Sequence, residues 1–213
     1  MKNIVIIGAG DFGKEIVWLI EDINKANPTY VIIGFLDDDE KKTGKMINGY
    51  QCVGTTEDLP ELIRTQNVCA VIAMQDGDSR KRIAEKIPWF DSWETLIHPS
   101  ANIAETSKLG KGCVVCAGCN VSVNTVLGKH CILNLTVTMG HDSDVGDYVS
   151  VMSGAVISGH VVLRERAYLG SNSTVLPFMK VGIHAKVGAG SVVIRNVKDE
   201  VTVMGVPAKI LRV

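Results

Sequence analysis

The chain has 213 residues, 46% of them hydrophobic and 21% charged, and a formal net charge of -1. That length accommodates one large domain or two of roughly a hundred residues, and its scattered, balanced charge excludes a binder that neutralises nucleic-acid phosphates along a basic stripe. No apolar stretch approaches the roughly 20 residues needed to cross a bilayer, and no leader with a cleavage site opens the chain, so a soluble, cytoplasmic protein without a membrane partner is expected.

In chain order, KNIVIIG reads as a buried strand, GAGDFG as a turn, KEIVWLIEDINKA as a helix with an apolar face and YVIIGFLDDD as a second strand. A polar connection follows, then the helix TEDLPELIRTQ, the strand VCAVIAM and the helix SRKRIAEKI. This alternation predicts a Rossmann-like α/β domain over residues 1–95, with parallel strands, helices on both faces and ligands beyond the strand C-termini. Gly8, Gly10 and Gly13 suit a phosphate-binding turn, in which main-chain N–H groups and the positive helix end face a pyrophosphate. Asp37 and Asp38 close the second strand, where a carboxylate can hold ribose hydroxyls. Two other readings of GAGDFG stand beside this one: an NAD site, and a glycine turn that only packs helix on strand. The half-size domain and the lack of a hydride-transfer site favour a mononucleotide-containing ligand.

SWETLIHPSAN, around residues 92 to 102, is the expected junction. From Ile103 an aliphatic residue then returns every six positions through Leu109, Val115 and Val121 as far as Val193. A period of six fits neither a helix nor a simple strand; it fits short strands joined by corners, coiling so that residues 18 apart stack. That stacking places Asp142 beside Asn124 and His160, and His141 beside Val123 and Gly159. Cys113, Cys116 and Cys119 are spaced as in a metal site, but Cys113, Cys119 and Cys131 share a repeat slot otherwise filled by small residues. They read as small buried apolar residues, and no metal is expected. His130 and His184, at equal phase, read as surface residues.

The period and the motifs GAGDFG, GFLDDD, LIHPSA, ILN with GHDSDVGD and the closing GVPAK together resemble the bacterial sugar O-acyltransferase family named for sialic acid O-acetyltransferases, among them the PglD-like N-acetyltransferases of UDP-amino sugars. The resemblance implies a left-handed parallel β-helix over residues 96–213, a nucleotide-sugar-binding first domain, acetyl-CoA as co-substrate and a homotrimer with active sites between neighbouring prisms. It places substrate contacts on Gly8, Gly10, Gly13, Asp37, Asp38, Ala73 and Asp76. His141 becomes the general base, with Asp142 beside it and Asn134 contacting substrate. An imidazole, titrating near neutrality, can take a proton from an attacking amine or hydroxyl and return it to a thiolate. Cofactor contacts fall on Gly159, Ala189, Ser150, Pro207 and Lys209, with the Gly159 N–H a candidate oxyanion donor. Phe12 and Ser150 stand where many relatives carry histidine. The expected activity is acetylation of the amine of a nucleotide-linked amino sugar. O-acetylation of a sugar or sialic acid, and a nucleotide-sugar-binding trimer without catalysis, remain open beside it.

Overall fold

In the computed structural model, which describes residues 1–211, the change of period is a change of fold: one unit spans Met1–Pro99 and a second begins at Ser100. The first contains β1 (Lys2–Ile7), α1 (Asp11–Ala26), β2 (Tyr30–Leu36), β3 (Met46–Ile47), β4 (Tyr50–Gly54), α2 (Leu59–Gln66), β5 (Cys69–Ile72) and α3 (Gly77–Lys86). Its sheet runs β3-β4-β2-β1-β5, with β1 parallel to both β2 and β5. Ile4, Val5, Ile6 and Ile7 are wholly buried, as a central parallel strand covered on both faces requires. The stripe Ile16, Val17, Leu19 and Ile20 buries one side of α1.

The connection expected between Asp38 and the second helix is not merely polar. It contains the β3–β4 hairpin, turning at Asn48 and Gly49, both with positive φ, the pattern of a two-residue type I′ turn. Strand β4 then pairs parallel to β2 and widens the sheet.

The second unit is a left-handed parallel β-helix. Two-residue strands recur from Asn102–Ile103 to Val192–Val193 and pair in strict 18-residue register, as in Asn120↔Thr138, Val126↔Asp144 and Ile132↔Ser150. The second residue of each strand points inward; Val121, Leu127, Leu133, Met139, Val145 and Val151 are all at most 3% exposed. Cys113, Cys119 and Cys131 fill the same interior as small apolar residues, each Sγ donating to a main-chain carbonyl, of Gly128, Asn134 and Gly146 respectively.

The corners explain the period. Every sixth residue from Gly112 to Gly190 has left-handed φ, between 53° and 72°, so each short strand is followed by the same sharp turn. Glycine, Asn, Asp and His tolerate that region best, and they occupy ten of these fourteen corners. Residues 124, 142, 160 and 178 form one edge of the prism, 112, 130, 148, 166 and 184 another.

The winding ends irregularly. Lys186 pairs with Thr202, a step of 16 residues rather than 18, and Val181 bridges Val197. Thr202–Met204 then pairs antiparallel with Lys209–Ile210, which makes GVPAK the turn of a closing hairpin. None of the helices among the described residues is long and apolar enough to cross a membrane.

Candidate active site

The glycine turn between β1 and α1 separates two roles that spacing alone leaves mixed. Gly8 has φ 111°, and a Cβ there would lie 2.9 Å from the Ala73 carbonyl oxygen. Gly13 faces the Gly8 carbonyl too closely to admit a side chain. Packing therefore accounts for both. Gly10 is different: its φ is -95° and nothing lies within 4 Å of a Cβ placed on it. The fold does not need glycine at 10. What glycine does there is leave the first turn of α1 open, with no side chain capping its N–H groups, an arrangement suited to an anion.

The aspartates expected on ribose are already engaged by the chain. Asp37 is 8% exposed; it accepts from Ala9 N at 2.8 Å, Asp39 N at 3.0 Å and Lys42 Nζ at 2.7 Å. Burial pushes its pKa up, but Lys42 and the two N–H groups outweigh burial and hold it below the ordinary carboxylate value. Asp38 accepts from both the N–H and the hydroxyl of Thr56 and from Lys86 Nζ at 3.1 Å. Its pKa too is lowered, burial opposing Thr56 and Lys86. Asp76 caps α3 by accepting from Ser79 N at 2.8 Å, and the buried Ala73 donates its N–H to the Ile7 carbonyl. The sequence reading missed Lys42, whose ammonium shares one oxygen of Asp37 with the N–H of the glycine turn. Only its position just past the GFLDDD strand could have drawn attention to it. A cavity of about 470 Å³ lined by Lys2, Asn67, Cys69, Trp93 and Glu94 lies at the opposite, N-terminal ends of β1 and β5.

On the prism, the corner at 142 settles whether adjacent residues can meet. Successive side chains on a straight strand diverge, but Asp142 has φ 55°. His141 Nδ1 lies 2.8 Å from Asp142 Oδ2, while Asn124 Nδ2 donates to Asp142 Oδ1 at 3.0 Å. His141, then Asn124, then the nearby His160 lower the pKa of Asp142 below the ordinary carboxylate value. His160 Nε2 is 3.9 Å from Asp142, its ring stands edge-on to His141 at 5.1 Å, and Phe178 stacks on it at 4.8 Å. The His141 carbonyl accepts from His160 N, so main-chain pairing also fixes this residue.

Bonding Nδ1 to a carboxylate leaves Nε2 for an incoming proton. Nε2 lies over Gly159, where a Cβ would come within 2.7 Å of it and 2.8 Å of Cε1. Absence of a side chain at 159 thus keeps Nε2 reachable. The Gly159 carbonyl accepts from Phe178 N.

Other expected residues are not gathered around His141 within this chain. Asn134 precedes a different corner; it is 4% exposed, with Oδ1 accepting from Leu135 N. Ser150 is 1% exposed and lies in the strand paired with Ile132 and Tyr168, on another side of the prism. Ala189 sits one residue before a corner, as Gly159 does, but on a different edge; Pro207 and Lys209 are exposed in and beside the hairpin turn. His130 is not a surface residue: it is 2% exposed and stacks flat on Tyr148 at 5.4 Å. Side chains at one edge lie only one strand spacing apart, about 4.8 Å, so large neighbours cover each other.

Comparison with known proteins adds the family. Residues 3–87 match the family described as the PglD N-terminal domain. The acetyltransferase domain of PglB from Neisseria gonorrhoeae FA1090, solved with acetyl coenzyme A, is 32% identical with a TM-score of 0.89, covering 99% of each chain. The chain belongs to the PglD-like sugar acetyltransferases. PerB from Caulobacter crescentus, solved with CoA and GDP-perosamine, is 31% identical with a TM-score of 0.88, over 100% of this chain and 98% of that one. GDP-perosamine N-acetyltransferase of Escherichia coli O157:H7 is 29% identical over 80% of this chain and 76% of its own length. A serine acetyltransferase from Buchnera aphidicola matches at 32% over only 54% of this chain and 40% of its own length. Membership in the family thus rests on both units, whereas likeness to the serine enzyme spans about half the chain.

Proposed function

We propose that this protein transfers acetyl from acetyl-CoA to the amine of a nucleotide-linked amino sugar. The observation that carries the reading is the His141 imidazole, tied to Asp142 through Nδ1 at 2.8 Å with Nε2 open over the bare Gly159. In the proposed step His141 Nε2 takes a proton from the acceptor amine as its nitrogen attacks the thioester carbonyl. Asp142, held in place by Asn124, compensates the charge that the imidazole gains. The Gly159 N–H donates to the developing oxyanion. As the carbon–sulfur bond breaks, His141 returns its proton to the sulfur, and the products are the N-acetyl sugar and CoA thiol.

Recognition of the sugar nucleotide is assigned to the glycine turn. The open N–H groups after Gly10 and the Lys42 ammonium suit a diphosphate, while Asp37 shapes the turn from beneath. The amine is preferred to a hydroxyl as acceptor because relatives from Escherichia coli O157:H7 and Caulobacter crescentus are named as perosamine N-acetyltransferases. A homotrimer at work in the cytoplasm is proposed with it; that the base is about half exposed within one chain supports a neighbouring copy walling the site.

Incubation with acetyl-CoA and a panel of GDP- and UDP-linked 4-amino sugars, sialic acid and serine tests this, with product mass as the readout. The expected result is a mass gain of one acetyl group on an amino sugar, falling by about 10²–10⁴-fold in His141→Ala. Acetylation of sialic acid or serine alone, or transfer undiminished in the variant, refutes it.

A further inference from the structure

Phe178 occupies a place for which the fold offers it little. Its φ is 65°, a region that disfavours bulky side chains by about 1–2 kcal/mol. Three other corners carry unfavoured residues, Thr136, Tyr148 and Arg166. Tyr148 recovers contact by stacking on the buried His130, and the Arg166 side chain is only 25% exposed. Phe178 is 68% exposed. One face of its ring lies on His160, nearly parallel at 7°; no comparable burial offsets the rest. A strained, uncovered aromatic is an observation from which function can be inferred.

Its position says which function. The Phe178 N–H binds the Gly159 carbonyl at 3.2 Å, and the rings of His141, His160 and Phe178 follow one another along a single edge. The aromatic shelf therefore starts at the base and continues for two further turns, with the exposed Leu176 close by in the chain. The acyl donor must set its thioester carbonyl at His141 and Gly159. What extends from that carbonyl is an uncharged arm of methylene groups, two amides and a dimethyl carbon. An apolar ring with amphipathic neighbours complements that arm, whereas a sugar bearing hydroxyls and a diphosphate is matched by the cationic glycine turn.

We propose that Phe178 is a binding residue for the pantetheine arm of acetyl-CoA, retained at the expense of fold stability. This rests on the acetyl-CoA reading above, and equilibrium binding separates the two. Phe178→Asn installs the residue already present at corner 124 of the same edge. The expected results are a CoA dissociation constant and an acetyl-CoA KM raised about tenfold, kcat and the sugar KM within twofold of wild type, and a thermal midpoint raised rather than lowered. Phe178→Trp restores CoA affinity. An unchanged CoA dissociation constant overturns the proposal, as does a rise confined to the sugar KM, which would assign the ring to the acceptor. If wild type binds CoA but acetylates nothing, the functional reading fails while the dissociation constants still decide the role of Phe178. If wild type binds no CoA, both fall.

Discussion

Asp37 and Asp142 each sit beside a main-chain turn and each accept from more than one donor, yet they serve opposite ends. Asp37 is buried, and its partners are two main-chain N–H groups and a lysine that it holds over the glycine turn. Asp142 is more exposed and its partners are side chains, one of them the imidazole. A buried carboxylate bonded to main chain and to a lysine fixes a shape. One at the surface, bonded to a titratable ring, is placed to answer a moving proton. The comparison warns against reading every aspartate near a ligand turn as a ligand contact.

The sharpest way to break this contrast is at Gly159. Gly159→Ala adds one methyl group within 2.7 Å of His141 Nε2 at ordinary φ, so acetyl transfer should fall by about 10²–10³-fold while the thermal midpoint stays near wild type. Intact activity would show that Nε2 is not the working atom. Asp142→Asn comes next. A hydrogen bond to a charged partner contributes about 1.5–3 kcal/mol, which corresponds to roughly a 10- to 100-fold loss in kcat. Because the folded-state pKa of Asp142 is depressed, its carboxylate interaction is fully present above the ordinary value and is lost only as pH falls through the lowered one. The Asp142 carboxyl should therefore stay ionised across the neutral range, which an NMR titration of its side-chain carboxyl signal checks. A full carboxyl protonation shift between about pH 7 and 6 would contradict an Asp142 ionised there.

The smallest effect sharpens the other half. Gly10→Ala meets open space, so a several-fold rise in sugar-nucleotide KM is expected with stability changed by less than about 1 kcal/mol. Gly13→Ala meets the Gly8 carbonyl and should cost about 1–3 kcal/mol in a denaturation experiment. If the two behave alike, the turn serves packing only.

Much of this is legible in the amino-acid sequence. The recurrence from Ile103 to Val193 is a repeat of inward side chains, and 18-residue stacking placed Asn124, Asp142 and His160 together correctly, along with His141 over Gly159. Other features are not, for identifiable reasons. The bond between His141 and Asp142 depends on a left-handed corner, and strand alternation argues the reverse. The hairpin at Asn48-Gly49 is signalled by its Asn-Gly pair but masked by strands that are short and mixed in polarity. Nothing in spacing reveals that Asp37 is engaged by Ala9 and Lys42, because those contacts reach across a gap rather than along the chain; the Tyr148 cover over His130, by contrast, follows from the same 18-residue stacking, which the surface reading of His130 leaves unused.

The shortened last step of the prism has a consequence for how the molecule behaves in a crowd. A coil repeating without interruption would present at its foot the very hydrogen-bonding pattern that joins its own layers, inviting a second molecule to continue the column. Dropping two residues between Val193 and Val197 and folding back an antiparallel strand spoils that match and makes this turn of the coil a poor template for a further parallel layer.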